Sequence, residues 1–171
     1  MSIDMNPDYI GWSIVDWKSE NKFNIIKSGV FSLKQLTNEL KSLKGKQLKS
    51  SSKEKKYLNN KRNHETLEIS KKLIQIALHY KCELFGLEDL NIKSSDKNKG
   101  KNYNRLCNNT WLRNTLVNNL SKRCHIFGIK IFKVKSEYSS FVGNFLFRHL
   151  NLPDMCLASF EIGRRTYEFY S

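Results

Sequence analysis

Between Ser2 and Phe31 the chain reads as three strands joined by turns of only a few residues, and this limits the fold more than any other feature. Ser2 to Asn6 is the first strand and Tyr9 to Trp17 the second, where Ile10, Trp12, Ile14 and Asp16 alternate with Gly11, Ser13 and Val15. Asn6-Pro7-Asp8 between them is a turn, because proline fixes φ while Asn and Asp tolerate turn geometry. Lys22 to Phe31 is the third strand, reached through the polar turn Lys18 to Asn21. Strands linked this closely pair antiparallel, as a meander.

Beyond the meander the periodicity changes from two to that of a helix. Leu33, Leu36, Leu40 and Leu43 recur at helical spacing over Ser32 to Leu43, with Ser32 placed as an N-cap. Lys44 to Lys56 is rich in Lys and Ser, holds Leu48 as its one apolar residue, and reads as a loop or a nucleic-acid-facing arm. Leu58 to about Tyr80 is the longest helical pattern, its buried stripe built from Leu67, Ile69, Leu73, Ile74, Ile76, Ala77 and Leu78. Cys82 to Leu87 is a short apolar strand ending in Glu88-Asp89. Asn91 to Asn109 is basic and polar. Trp111 to Cys124 is a helix, Ile129 to Val134 a strand, and Leu152 to about Tyr167 a final helix with Pro153 in its first turn. A meander followed by helix–strand units predicts an α/β fold, a mixed sheet covered by helices, with the later strands parallel to the first and beside it.

At 171 residues the chain is long enough for one core, so a single domain over 1–171 is expected, with basic loops around 44–57 and 91–109. Lys and Arg number 30 against 16 Asp and Glu, a net charge of +14, which points to a polyanionic partner, most often nucleic acid. A lysine-rich composition in general accounts for part of this excess. Cys82, Cys107, Cys124 and Cys156 form no CxxC pair, which argues against a disulfide scaffold and a cysteine zinc site. No apolar run approaches the roughly 18 residues of a spanning helix, and the N-terminus lacks a signal-peptide layout. An intracellular, cytoplasmic protein that does not engage membranes is therefore expected.

The acids are placed unevenly on this layout. Asp4 lies inside an apolar strand between Ile3 and Met5, which point to the opposite face. Glu88 sits where the fourth strand runs out, with Asp89 beside it as a competitor. Asp154 lies in the first turn of the last helix, where an acid also complements the helix dipole. Glu161 lies two turns further on, either as another ligand or as a surface acid paired with Arg164 or Arg165. If the first and fourth strands are neighbours, Asp4 and Glu88 stand side by side. Three carboxylates brought together repel one another unless a cation joins them. Oxygen donors suit Mg²⁺ or Mn²⁺, and two such ions about 4 Å apart are a device for in-line displacement at a phosphodiester.

Four segments carry a resemblance. Ser-Ile-Asp-Met-Asn-Pro-Asp-Tyr-Ile-Gly-Trp-Ser-Ile (2–14) resembles the first RuvC motif of the TnpB-like transposon nucleases, relatives of the type V CRISPR effectors. Phe-Gly-Leu-Glu-Asp-Leu-Asn (85–91) resembles their second motif, and Leu-Pro-Asp-Met-Cys-Leu-Ala-Ser-Phe-Glu-Ile-Gly-Arg-Arg (152–165) a third. Val-Lys-Ser-Glu-Tyr-Ser-Ser (134–140) is similar to the strand that leads into their zinc ribbon. The resemblance implies a ribonuclease-H-like fold, metal binding and catalysis by Asp4, Glu88 and Asp154, and cleavage of DNA with two Mg²⁺ or Mn²⁺ ions. Leu-Asn-Asn-Lys-Arg (58–62) fits the basic helix that such proteins set against nucleic acid, which implicates Lys61 and Arg62.

The paired cysteines of the zinc ribbon do not follow Ser140, so no structural zinc is expected. The sequence opens at the first motif, so guide RNA is expected only through an upstream region it does not contain. A stand-alone Holliday-junction resolvase acting as a homodimer, and a catalytically silent nucleic-acid-binding module, are the other readings. Lys93, Lys97, Lys99, Lys101 and Arg105 are placed as phosphate contacts, with a solvated surface as the alternative. Tyr103 and Trp111 are either base-stacking or, for Trp111, core. Tyr138-Ser139-Ser140 either holds a phosphate or ends a strand. The four histidines show no ligand spacing, and no Ser-His-Asp or Cys-His motif is present.

Overall fold

A computed structural model describes residues 1–19, 22–43, 50–89, 112–135 and 137–171 of the chain. Strands β1 (Ser2–Met5), β2 (Tyr9–Ser19) and β3 (Lys22–Ser32) are followed by helices α1 (Lys34–Leu43) and α2 (Ser50–His79). Then come β4 (Leu84–Asp89), α3 (Arg113–Ile126), β5 (Lys130–Lys135), α4 (Ser139–Phe147), a 3₁₀ turn (Arg148–Leu150) and α5 (Asp154–Tyr170). The strands form one mixed sheet in the order β3-β2-β1-β4-β5. β1, β2 and β3 pair antiparallel as the short turns require, whereas β4 joins β1, and β5 joins β4, in parallel. The architecture is therefore α/β, a five-stranded mixed sheet flanked by helices, and the expected position of β4 beside β1 is met.

Strand alternation decides which face each residue serves. Ile3, Met5, Ile10, Trp12, Ile14, Phe85 and Leu87 project to one face and form the main core with Ile69, Leu73, Ile74 and Ala77 of α2 and Leu116, Val117, Leu120 and Cys124 of α3. Fully burying one such aliphatic side chain is worth about 1.5–3 kcal/mol, so this layer is the principal source of cohesion. The opposite face carries Ser2, Asp4, Gly11, Ser13, Gly86 and Glu88, and α5 lies over it. Small residues there admit close contact. A Cβ on Gly11 would come 2.3 Å from the Met155 carbonyl oxygen, and one on Gly86 would come 2.1 Å from Thr166 Oγ1. Ser2 donates to the Ser159 carbonyl at 2.7 Å, and α5 is buried almost all round because α4 covers its other side.

Several expectations are corrected. Residues 50–56 are the first turns of α2 rather than part of a loop, since Lys, Ser and Glu are compatible with an exposed helix whose anchoring stripe lies further along. Leu78 is exposed rather than in that stripe, and Thr66 and Ser70 are buried in it. β4 runs through Asp89, so Glu88 is inside the sheet, opposite Val134, rather than beyond its end. Helix α4 was not expected: at nine residues with Gly143 at its centre it is too short to display a period. Among the described residues no helix is long and apolar enough to cross a membrane.

Candidate functional site: a buried carboxylate pair

The polar face of the sheet holds two acids at its centre. Asp4 and Glu88 each come one residue after the parallel pairs Ser2↔Gly86 and Ile3↔Leu87, on adjacent strands, and the Glu88 charge acts on Asp4. Each is buried, with 8% and 5% of its surface exposed. Burial first, and then the Glu88 charge, push the Asp4 carboxyl from its ordinary value of 3.8 up to about 7, against the partial relief of a backbone hydrogen bond at Met5. Burial also raises Glu88, but three groups oppose that: the Ser139 hydroxyl, which donates to Oε1, and the Arg165 and Arg113 guanidiniums.

Local structure explains why these groups meet. β1 is short and ends in a tight turn. There the Asn6 side chain accepts from the Asp8 and Tyr9 amides at 3.1 and 2.8 Å. Ser139 opens α4 directly after Tyr138, whose left-handed φ of 58° turns the chain back under the end of β4. Arg165 reaches the same region from α5, donating to the Lys135 and Glu137 carbonyls at 2.7 and 3.0 Å. Its Nε also bonds Glu161 Oε1 at 2.7 Å, and Arg164 grips Glu161 through two contacts of 2.8 and 2.9 Å. Glu161 is thus paired with both arginines, but it is fully buried rather than at the surface. Its two oxygens are occupied by guanidinium donors.

Asp154 lies in the first turn of α5 and is exposed. It is at the same end of the sheet as Asp4: Asp4 pairs with Gly11, and Gly11 abuts Met155. The Asp4 charge also raises the Cys156 thiol, after the larger effect of burial. Among the described residues, however, no three Asp, Glu, His or Cys side chains are grouped closely enough to hold a metal. The structure brings together Asp4 and Glu88, and leaves Asp154 outside that pair. Asp89 is exposed, and its charge acts on Arg113.

Of the basic residues read as nucleic-acid contacts, Lys61 is exposed on α2. Arg62 is not on the surface: it is 2% exposed, and its Nη2 donates to the Pro7 carbonyl at 2.6 Å. There it fastens the β1–β2 turn to α2, a role set by which helix face meets the sheet. Lys93, Lys97, Lys99, Lys101 and Arg105 lie outside the described residues, as do Tyr103 and Trp111. Sequence reasoning missed Arg113 and Arg165 as partners of Glu88. It named Ser139 without a partner, because the loop-to-helix change at Tyr138 carries no periodic signal.

Carboxylate oxygens are the donors that Mg²⁺ and Mn²⁺ take, and two buried acids facing each other with raised proton affinity suit a divalent cation. No protein-family model matches the chain, and no curated protein or solved structure shows significant similarity to it.

Proposed function

We propose that this chain is a metal-dependent endonuclease that cleaves DNA phosphodiester bonds, with a ribonuclease-H-like fold of the RuvC type that TnpB-like nucleases carry. The observation that supports it above all others is the buried Asp4–Glu88 pair on neighbouring parallel strands. An interior carboxylate that feels the charge of a second one is costly to the fold, and a divalent cation removes that cost. The sheet agrees with this reading, since it requires the first and fourth strands to be neighbours.

In this reading Asp4 and Glu88 hold Mg²⁺ or Mn²⁺, and Asp154, at the same end of the sheet, completes the set. Two such ions supply an activated water and stabilise the leaving oxygen. The protein's own residues do the rest. Ser139 fixes one Glu88 oxygen and so orients the other. Arg165 and Arg113 favour the ionised form of Glu88 against the burial that raises its carboxyl, while Arg62 holds the turn that follows Asp4. The excess of 14 positive charges attracts the polyanion.

The test is cleavage of labelled single-stranded, duplex and four-way-junction DNA in Mg²⁺ or Mn²⁺, against Ca²⁺ and EDTA. Cutting is expected in the parent and should be lost in Asp4→Ala and Glu88→Ala. Metal-dependent cutting that survives both substitutions refutes the assignment. DNA binding that is indifferent to metal, with no cutting of any substrate, would identify a silent binding module instead.

A further inference from the structure

Helix α4 turns an aromatic stripe outward. Tyr138, Phe141 and Phe145 follow helical spacing and are 77%, 70% and 77% exposed. The opposite side of α4 is committed to α5: Gly143 is buried there, and a Cβ on it would lie 2.5 Å from the Leu157 carbonyl oxygen. The rings therefore cannot rotate inward without lifting the helix away. Exposed rings grouped in this way mark an interaction surface rather than scattered surface apolarity.

A cleft of about 650 Å³ runs alongside, walled by Phe141 and Phe145 and edged by Asn144, Arg148, Asn151 and Asp154. Its size falls within the roughly 300–1,000 Å³ of small-ligand clefts, enough for a nucleotide. Its composition is specific. Flat apolar rings offer stacking, the two carboxamides offer both donors and acceptors to a base edge, and Arg148 offers a cation to phosphate. Asp154 stands at the rim, and it is the acid assigned above to the metal site.

We infer that this cleft binds unpaired nucleobases of single-stranded DNA and leads the strand toward the carboxylates. The choice of DNA, and of the direction toward the carboxylates, rests on the endonuclease reading; the stacking site itself does not. Charge complementarity selects the occupant, because a chain of net charge +14 with an arginine beside its aromatic rings suits a polyanion. Duplex DNA keeps its base faces stacked internally, so an aromatic platform engages only unpaired bases.

The experiment is fluorescence anisotropy with a dye-labelled oligothymidylate and with a labelled duplex, both in EDTA so that nothing is cut. Phe141→Ala and Phe145→Ala alter exposed side chains and should leave thermal unfolding unchanged. Each should weaken oligothymidylate binding by about 5- to 150-fold, the equivalent of about 1–3 kcal/mol per stacked base, and change duplex binding less than twofold. Arg148→Gln should weaken both and flatten their salt dependence. Oligothymidylate binding equal to the parent's in both phenylalanine variants overturns the inference. So does sedimentation showing a dimer that those variants dissolve while DNA affinity stays constant, since a second copy would then cover the face. Failure of the endonuclease reading looks different: stacking-dependent binding persists, and Mg²⁺ produces no cutting.

Discussion

Asp4→Asn should stabilise the metal-free protein, and by an amount that depends on pH. In the native state the carboxyl holds its proton up to about pH 7, against an ordinary value of 3.8. At about 1.4 kcal/mol per tenfold change in proton affinity, that difference amounts to about 4 kcal/mol. The sign follows from proton counting. Between pH 4 and pH 7 the folded protein binds more protons at this site than the unfolded chain does, so stability falls as pH rises. The contribution is undiminished below pH 4 and is lost by about pH 7. An amide has no proton to lose and avoids that loss. Urea denaturation in EDTA should therefore show Asp4→Asn more stable than the parent by about 4 kcal/mol at pH 8, and within about 1 kcal/mol of it at pH 4. Mg²⁺ should narrow that gap at pH 8 to about 1 kcal/mol by stabilising only the protein with both carboxylates, by about 2.7 kcal/mol when free Mg²⁺ is a hundred times Kd. An Asp4→Asn protein less stable than the parent at pH 8 without metal would refute the reasoning, because Asp4 would then be satisfied by partners and not strained by burial beside Glu88.

Ser139→Ala removes the hydroxyl that orients Glu88, and cleavage should fall about 10- to 100-fold with a higher Mg²⁺ requirement; a fall at saturating metal alone, with unchanged Mg²⁺ dependence, would count against orientation as the cause. Glu161→Ala leaves Arg164 and Arg165 without their shared acid in a buried setting, so chemical denaturation should show a loss of about 3–5 kcal/mol. If Glu161→Gln cut no DNA at full stability while Asp154→Asn cut normally, the third ligand would be Glu161. Gly11→Ala places a methyl group 2.3 Å from the Met155 carbonyl oxygen and must push α5 off the sheet, at a cost of about 1–3 kcal/mol in thermal or urea unfolding.

Much of the site was legible before the fold. Ile3 and Met5 flanking Asp4 told which way that acid faces, because a strand alternates, and Ile10, Trp12 and Ile14 told the same for β2. The length of the turns dictated the meander. The pairing of Glu161 with its arginines followed from i,i+3 and i,i+4 spacing on a helix, but its complete burial did not. That required α4 on top of α5, and α4 is a nine-residue helix with a central glycine. Lys61-Arg62 looked like one basic pair, yet the two residues diverge: about 100° of helical phase separates a solvated lysine from an arginine pinned to Pro7.

By itself the sequence determined the local periods, hence the elements, their order, and which face of each strand is apolar. Only the tertiary structure decided which elements became neighbours, since contacts distant in sequence repay their loop-closure entropy only through the packing they complete. The parallel pairing of β1 with β4 puts Asp4 beside Glu88 across a separation of 84 positions. Burial under α5 then turns two ordinary carboxyls into a strained pair, because the charge of one is felt by the other only where water is excluded.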